Sequence, residues 1–193
     1  TMKFKFKGDR DYVHGTDMIN SYLSTKKGIN SMSVQIRKMT SKNLKITNGD
    51  GAANQSVVAE FVFSNNDRGK VEEYLVETTE DASGRYEYDE DELVSDSQID
   101  MDNFSIFMKA NKRYSFIENV VAMHKKLVIE TVSSNVKWLF VGLDLKEIPK
   151  LKNNDHLSLK INKRLGTKLI QSEIKLNDAS IGQIKFSSIK KDN

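Results

Sequence analysis

Three histidines and one glutamate stand where acid–base chemistry could be done. His14 lies in Tyr12-Val13-His14-Gly15-Thr16-Asp17, just ahead of a segment in which Met18, Ile19, Tyr22 and Leu23 fall on one helical face. Glu118 and His124 share a longer periodic segment, and His156 follows the polar Asn153-Asn154-Asp155. Histidine titrates near neutral pH and a carboxyl can be tuned by burial, so a His–Glu pair can abstract one proton and deliver another. Each also has a plainer role. His14 can assist a helix cap, Glu118 can be a solvated flank carboxylate, His124 a hydrogen-bonded core histidine, and His156 a turn residue.

Other chemistries lack their residues. With no cysteine among 193 residues, disulfide scaffolds, thiolate zinc sites, iron–sulfur clusters and a cysteine nucleophile are excluded. No H-E-x-x-H spacing, calcium-loop pattern, G-x-S-x-G elbow or Gly-rich phosphate loop occurs, so neither metal nor cofactor is expected. No apolar run approaches the roughly 18 residues of a membrane span. The N-terminal Lys3–Lys7 stretch has no signal-like apolar core, and Met2 reads as the natural start. The expectation is a soluble cytoplasmic protein.

These candidates must be positioned by their elements. Phe4 and Phe6 alternate with Lys3, Lys5 and Lys7, predicting one apolar and one wet strand face. Thr16 or Asp17 is the expected cap of the short helix. Strands are predicted around Met32-x-Val34-x-Ile36, Leu44-x-Ile46, Val57–Phe63 and Tyr74-x-Val76-x-Thr78, with a turn at Asn48-Gly49-Asp50-Gly51. Later, Phe104, Ile106 and Met108 alternate. Phe116, Ile117, Val120, Val121, His124, Leu127 and Val128 then form a helical stripe about four turns long. Strands over 137–145, 157–165, 169–176 and 181–189 follow with only short connections, which requires antiparallel pairing.

The net charge of +3 conceals an uneven distribution. Residues 1–66 carry 10 basic and 5 acidic side chains, residues 67–102 carry 3 and 14, and residues 103–193 carry 17 and 8. So many like charges favour solvation, so 80–102 is read as an acidic connector between units at 1–79 and 103–193.

The C-terminal half resembles the hot-dog superfamily of acyl thioesterases and 3-hydroxyacyl-carrier-protein dehydratases. The likeness lies in a central helix, 116–132, followed by long antiparallel strands. The last two, 168–176 and 180–187, flank the polar Asn177-Asp178 and carry Gly182. The fold class implied is α+β, a hot-dog-like antiparallel sheet wrapped around a central helix. A diverged first half would make two units in tandem, similar to fused double hot-dogs. The resemblance implies an acyl-thioester enzyme, with dehydration favoured over hydrolysis, and His14 and Glu118 as base and acid or the reverse. Where the family has Gly-His-Phe-Pro, this chain has Val13-His14-Gly15. The alternative is a non-catalytic module that binds an acyl group or a protein partner.

An acyl carrier protein or acyl-CoA is the implied substrate, a homodimer is compatible with the family, and no membrane is involved. The basic C-terminal segment could steer an acidic carrier protein. Asn111-Lys112-Arg113-Tyr114 and Asn162-Lys163-Arg164 could contact phosphates. Nucleic acid is disfavoured, because the basic residues alternate with core positions rather than with exposed aromatics.

Overall fold

The computed structural model describes residues 1–65 and 69–190; residues 66–68 and 191–193, which fall within the two predicted units, lie outside the described residues. The chain divides into two compact units, Thr1–Asp89 and Glu90–Asn193.

The first unit runs β1 (Phe6–Lys7), α1 (Gly15–Ser24), β2 (Ile29–Ile36), β3 (Lys42–Asn48), α2 (Gly49–Ala52), β4 (Val57–Asn65), β5 (Gly69–Asp81) and β6 (Arg85–Tyr86). Its antiparallel sheet has the order β3-β5-β4-β2, and β1 pairs separately with β6 in parallel. Helix α1 buries Met18, Ile19 and Tyr22. The Tyr22 ring stacks on Phe61 of β4 with centroids 3.9 Å apart, while its hydroxyl donates to Glu73 of β5 at 2.8 Å. Burial, that hydrogen bond and the Glu73 charge all push the Tyr22 pKa up. A bulge where Val57 and Ala59 meet Val76 and Leu75 breaks the expected alternation. Leu75 and Val76 are consequently both buried.

The predicted wet face of the first strand needs correction. Lys7 is completely buried, whereas Phe6 is only partly so. Strand β1 is two residues long and ends at Gly8 in the left-handed region (φ +57°), so strict alternation has no ladder to enforce it. Pairing of Lys7 with Tyr86 closes an aromatic side over the ammonium, and α1 supplies its polar partners.

The second unit runs α3 (Glu90–Leu93), β7 (Gln98–Asp100), β8 (Ser105–Lys109), α4 (Phe116–Thr131), β9 (Val136–Leu145), β10 (His156–Leu165), β11 (Leu169–Leu176) and β12 (Ala179–Lys190). The strand order is β9-β12-β11-β10-β8-β7, with antiparallel neighbours throughout. Helix α4 lies against five of these strands, β8 to β12. Its apolar stripe faces Ile106, Leu143, Leu157, Leu159, Ile170, Ile174, Ile184 and Phe186, all essentially inaccessible to solvent. Asn177 and Asp178 both take positive φ (49° and 68°), the conformation of a two-residue hairpin turn that matches strand twist. Gly182 packs so closely on β9 that a Cβ there would sit 2.1 Å from the Asp144 carbonyl oxygen.

Residues 80–102 hold the end of β5, then β6, α3 and β7. The reason is local. Leu93 and Val94 are buried, and the acidic side chains meet cations, with Glu90 on Lys125 and Glu92 on Arg113 at 2.5 Å. Phe104, expected in line with Ile106 and Met108, lies outside β8 with φ +49° and an exposed ring.

Candidate active site

His14 is the N-cap of α1, in extended conformation (φ −75°, ψ 141°); neither Thr16 nor Asp17 takes that place. The Val13 amide donates to the Thr40 carbonyl at 2.8 Å, which fixes the entry to the helix. With the chain so placed, the imidazole folds back over the first turn. Its Nδ1 lies 2.7 Å from Thr16 Oγ1 and accepts from the Thr16 amide at 3.4 Å. The ring is 7% exposed and tilted against Tyr12.

Thr16 connects His14 to Lys7. Lys7 Nζ donates to Thr16 Oγ1 at 3.1 Å and to Asp17 Oδ1 at 3.3 Å. The ammonium also lies 4.0 Å from the centre of the Tyr88 ring, an arrangement in which the ring face compensates for lost hydration. Asp17 in turn accepts from the Tyr86 hydroxyl at 2.7 Å. From this group the sequence marks His14 as an acid–base candidate and Thr16 and Asp17 only as helix caps. Lys7 was missed because it occupies a wet position in the strand pattern, and nothing local marks Tyr86 and Tyr88 as its neighbours.

The network assigns the protons. A lysine ammonium can only donate, so Thr16 Oγ1 is an acceptor toward Lys7. Its single hydroxyl hydrogen then has two candidates, His14 Nδ1 at 2.7 Å and Asp17 Oδ1 at 3.4 Å. The Thr16 amide, which donates to Nδ1, requires a lone pair there, and the short contact is then a donation from the hydroxyl. The neutral imidazole therefore carries its hydrogen on Nε2. Such a ring presents a hydrogen-bond donor at Nε2, backed by a hydroxyl and an ammonium.

Glu118 lies in the second unit, at the third position of α4. It completes a capping box: its Oε2 accepts from the Ser115 amide at 2.9 Å while Ser115 Oγ accepts from the Glu118 amide at 3.1 Å. His14 and Glu118 thus each stand at a helix N-terminus, one in each unit. His124 lies in the α4 core, as expected, but it is not hydrogen-bonded. Among the described residues neither ring nitrogen has a hydrogen-bond partner, and Phe186 meets the ring edge-on with centroids 4.6 Å apart. Burial pushes its pKa down to about 3. His156 is exposed at the start of β10, and its amide donates to Asn177 Oδ1 at 2.9 Å. Among the described residues, no group of His, Asp and Glu side chains is arranged to hold a metal ion, and no helix is long and apolar enough to cross a membrane.

No family model matches the sequence, and no curated protein does. Solved structures do match in shape. A protein from Novosphingobium aromaticivorans described as a thioesterase aligns with 96% of this chain and 90% of its own, at 10% identity and a TM-score of 0.47. The dehydratase domain of PpsC from Mycobacterium tuberculosis, in complex with C12:1-CoA, aligns over 92% and 85% at 8% identity and a TM-score of 0.47. A bifunctional dehydratase-cyclase domain from ambruticin biosynthesis aligns over 93% and 82% at 8% identity and a TM-score of 0.46. Identities this low transfer no residue and no activity. The chain's own topology is α+β, with the central helix of the second unit laid against an antiparallel sheet.

Proposed function

We propose that this chain acts on acyl thioesters, most specifically as a 3-hydroxyacyl-thioester dehydratase. The observation that carries the proposal is the fixed orientation of a nearly buried His14 by Thr16 and Lys7. Dehydration needs a base for the α-hydrogen and an acid for the departing hydroxyl. With its hydrogen on Nε2, His14 takes the acid role, leaving the base role to Glu118. As Nε2 gives its hydrogen to the leaving oxygen, Nδ1 receives the Thr16 hydrogen and Lys7 replaces it. The imidazole thereby remains neutral, and the ammonium supplies the proton. The substrate is an acyl-CoA or an acyl-carrier protein, and the protein works in the cytoplasm.

A second reading, a non-catalytic module that binds an acyl group or partner, is favoured by one observation. Glu118 is occupied in the capping box of α4. Two variants separate the readings. Glu118→Gln retains a side chain able to complete the box but loses carboxylate chemistry, whereas His14→Ala removes the donor. The dehydratase reading expects loss of enoyl-thioester formation by at least about a hundredfold in each, the ordinary scale of general acid–base catalysis. Free-thiol release without an enoyl product would instead identify a thioesterase, and wild-type protein that binds acyl thioester without turnover would establish the binding module.

A further inference from the structure

The Asn162-Lys163-Arg164 segment has no part in the site around His14. It borders a shallow cleft of about 230 Å³ lined by Phe104, Ile161, Asn162, Lys163 and Arg164. Two backbone irregularities meet there. Phe104 holds a left-handed conformation (φ +49°) that costs energy for a bulky side chain, and its carbonyl accepts from the Ile161 amide at 3.0 Å. Directly after Ile161, β10 has a bulge in its pairing with β11. A bulge re-aims the side chains that follow it. The result is a 41% exposed aromatic ring beside two successive cations.

The charges are uncompensated. Among the described residues no carboxylate forms an ion pair with Lys163 or Arg164, and Arg164 Nε donates only to the nearby Gly166 carbonyl, at 3.1 Å. Asn162 Oδ1 accepts from Gln171 Nε2 at 3.3 Å, which orients its amide with Nδ2 as a donor. An aromatic residue, an amide residue and two successive cations therefore line one cleft. Its volume is below the roughly 300–1,000 Å³ of a complete ligand pocket, so it suits one ring system rather than an acyl chain.

We propose that this cleft binds a phosphorylated adenine nucleoside, the head group of coenzyme A. Phe104 stacks on the purine, the Asn162 amide meets its polar edge, and Lys163 and Arg164 take the phosphates. The inference rests on the acyl-thioester reading for its choice of CoA over carrier protein, but the binding it describes can be measured apart from turnover.

The test is calorimetric titration of the full chain with coenzyme A, adenosine 3′,5′-bisphosphate, pantetheine and inorganic pyrophosphate. Coenzyme A and the bisphosphate should bind with affinities that fall as salt is raised, and pantetheine should bind at least about tenfold more weakly. Lys163→Ala with Arg164→Ala, and separately Phe104→Ala, should each weaken the bisphosphate by about tenfold. Phe104→Leu, which keeps an apolar side chain without a stacking face, checks that the loss comes from the ring. Pyrophosphate binding as tightly as the bisphosphate, or indifference to Phe104, would reduce the cleft to a plain anion patch and overturn the proposal. Preference for single-stranded RNA over coenzyme A would overturn it as well. Binding of coenzyme A by this cleft without thioester turnover would remove the enzymatic reading and leave the cleft assignment standing. Turnover of acyl-pantetheine by a protein that does not bind coenzyme A would do the opposite.

Discussion

Lys7 Nζ lies 3.1 Å from Thr16 Oγ1 and donates to it, while His14 Nδ1 lies 2.7 Å from the same oxygen. A buried ammonium thereby backs the hydroxyl that meets the imidazole, two hydrogen bonds away. Lys7→Met should keep the packing volume and cost about 2 kcal/mol through loss of the hydrogen bonds to Thr16 and Asp17. Nitrogen-15 NMR of His14 should show the Nε2–H tautomer in the wild type, and in Thr16→Val too, where the backbone amide still donates to Nδ1. An Nδ1–H tautomer in the wild type would refute the assigned proton positions.

His124 makes a pH prediction. Its pKa falls from 6.5 in the unfolded chain to about 3 when folded, because burial disfavours the charged ring. Stability contributed by the neutral form is complete above the unfolded value and is lost as pH falls from about 6.5 toward 3, since the unfolded chain takes up the proton first. His124→Leu should flatten this part of the stability curve. It should also stabilise the fold at pH 7 by about 1–2 kcal/mol, because two unsatisfied nitrogens leave the core. Chemical denaturation at several pH values measures both effects; an unaltered slope would contradict the account.

Gly182→Ala should be severe. The new methyl would meet Asp144 O at 2.1 Å and Leu145 Cδ2 at 2.9 Å, and the first of these is backbone that cannot move without parting β9 from β12. A loss of about 3 kcal/mol is expected in urea unfolding. The same change at Gly49, where the added atom meets nothing within 4 Å, should leave stability within about 1 kcal/mol of wild type.

Much of the second unit was legible in the sequence because its signals are long. The stripe from Phe116 to Val128 fills four turns, and β11 begins and ends where alternation placed it. Asn177-Asp178 marked the last hairpin for a chemical reason, since both residues tolerate positive φ. The first unit was less readable. A two-residue β1 carries too little pattern to reveal that Lys7 points inward, and the bulge at Leu75 and Val76 disrupts period-two counting. Residues 80–102 looked like a connector because charge dominates their composition, yet ion pairs to Lys125 and Arg113 and the burial of Leu93 and Val94 seat them in regular elements. At the candidate site, His14 was visible by residue type. Its link through Thr16 to Lys7 was not, because no local spacing encodes that contact.

Enoyl-thioester formation from a 3-hydroxyacyl thioester, compared between the wild type and His14→Ala of confirmed fold, tests the catalytic role of His14. A catalytic His14 requires turnover by the wild type and its loss by at least about a hundredfold in the variant. Equal rates in the two proteins would contradict it.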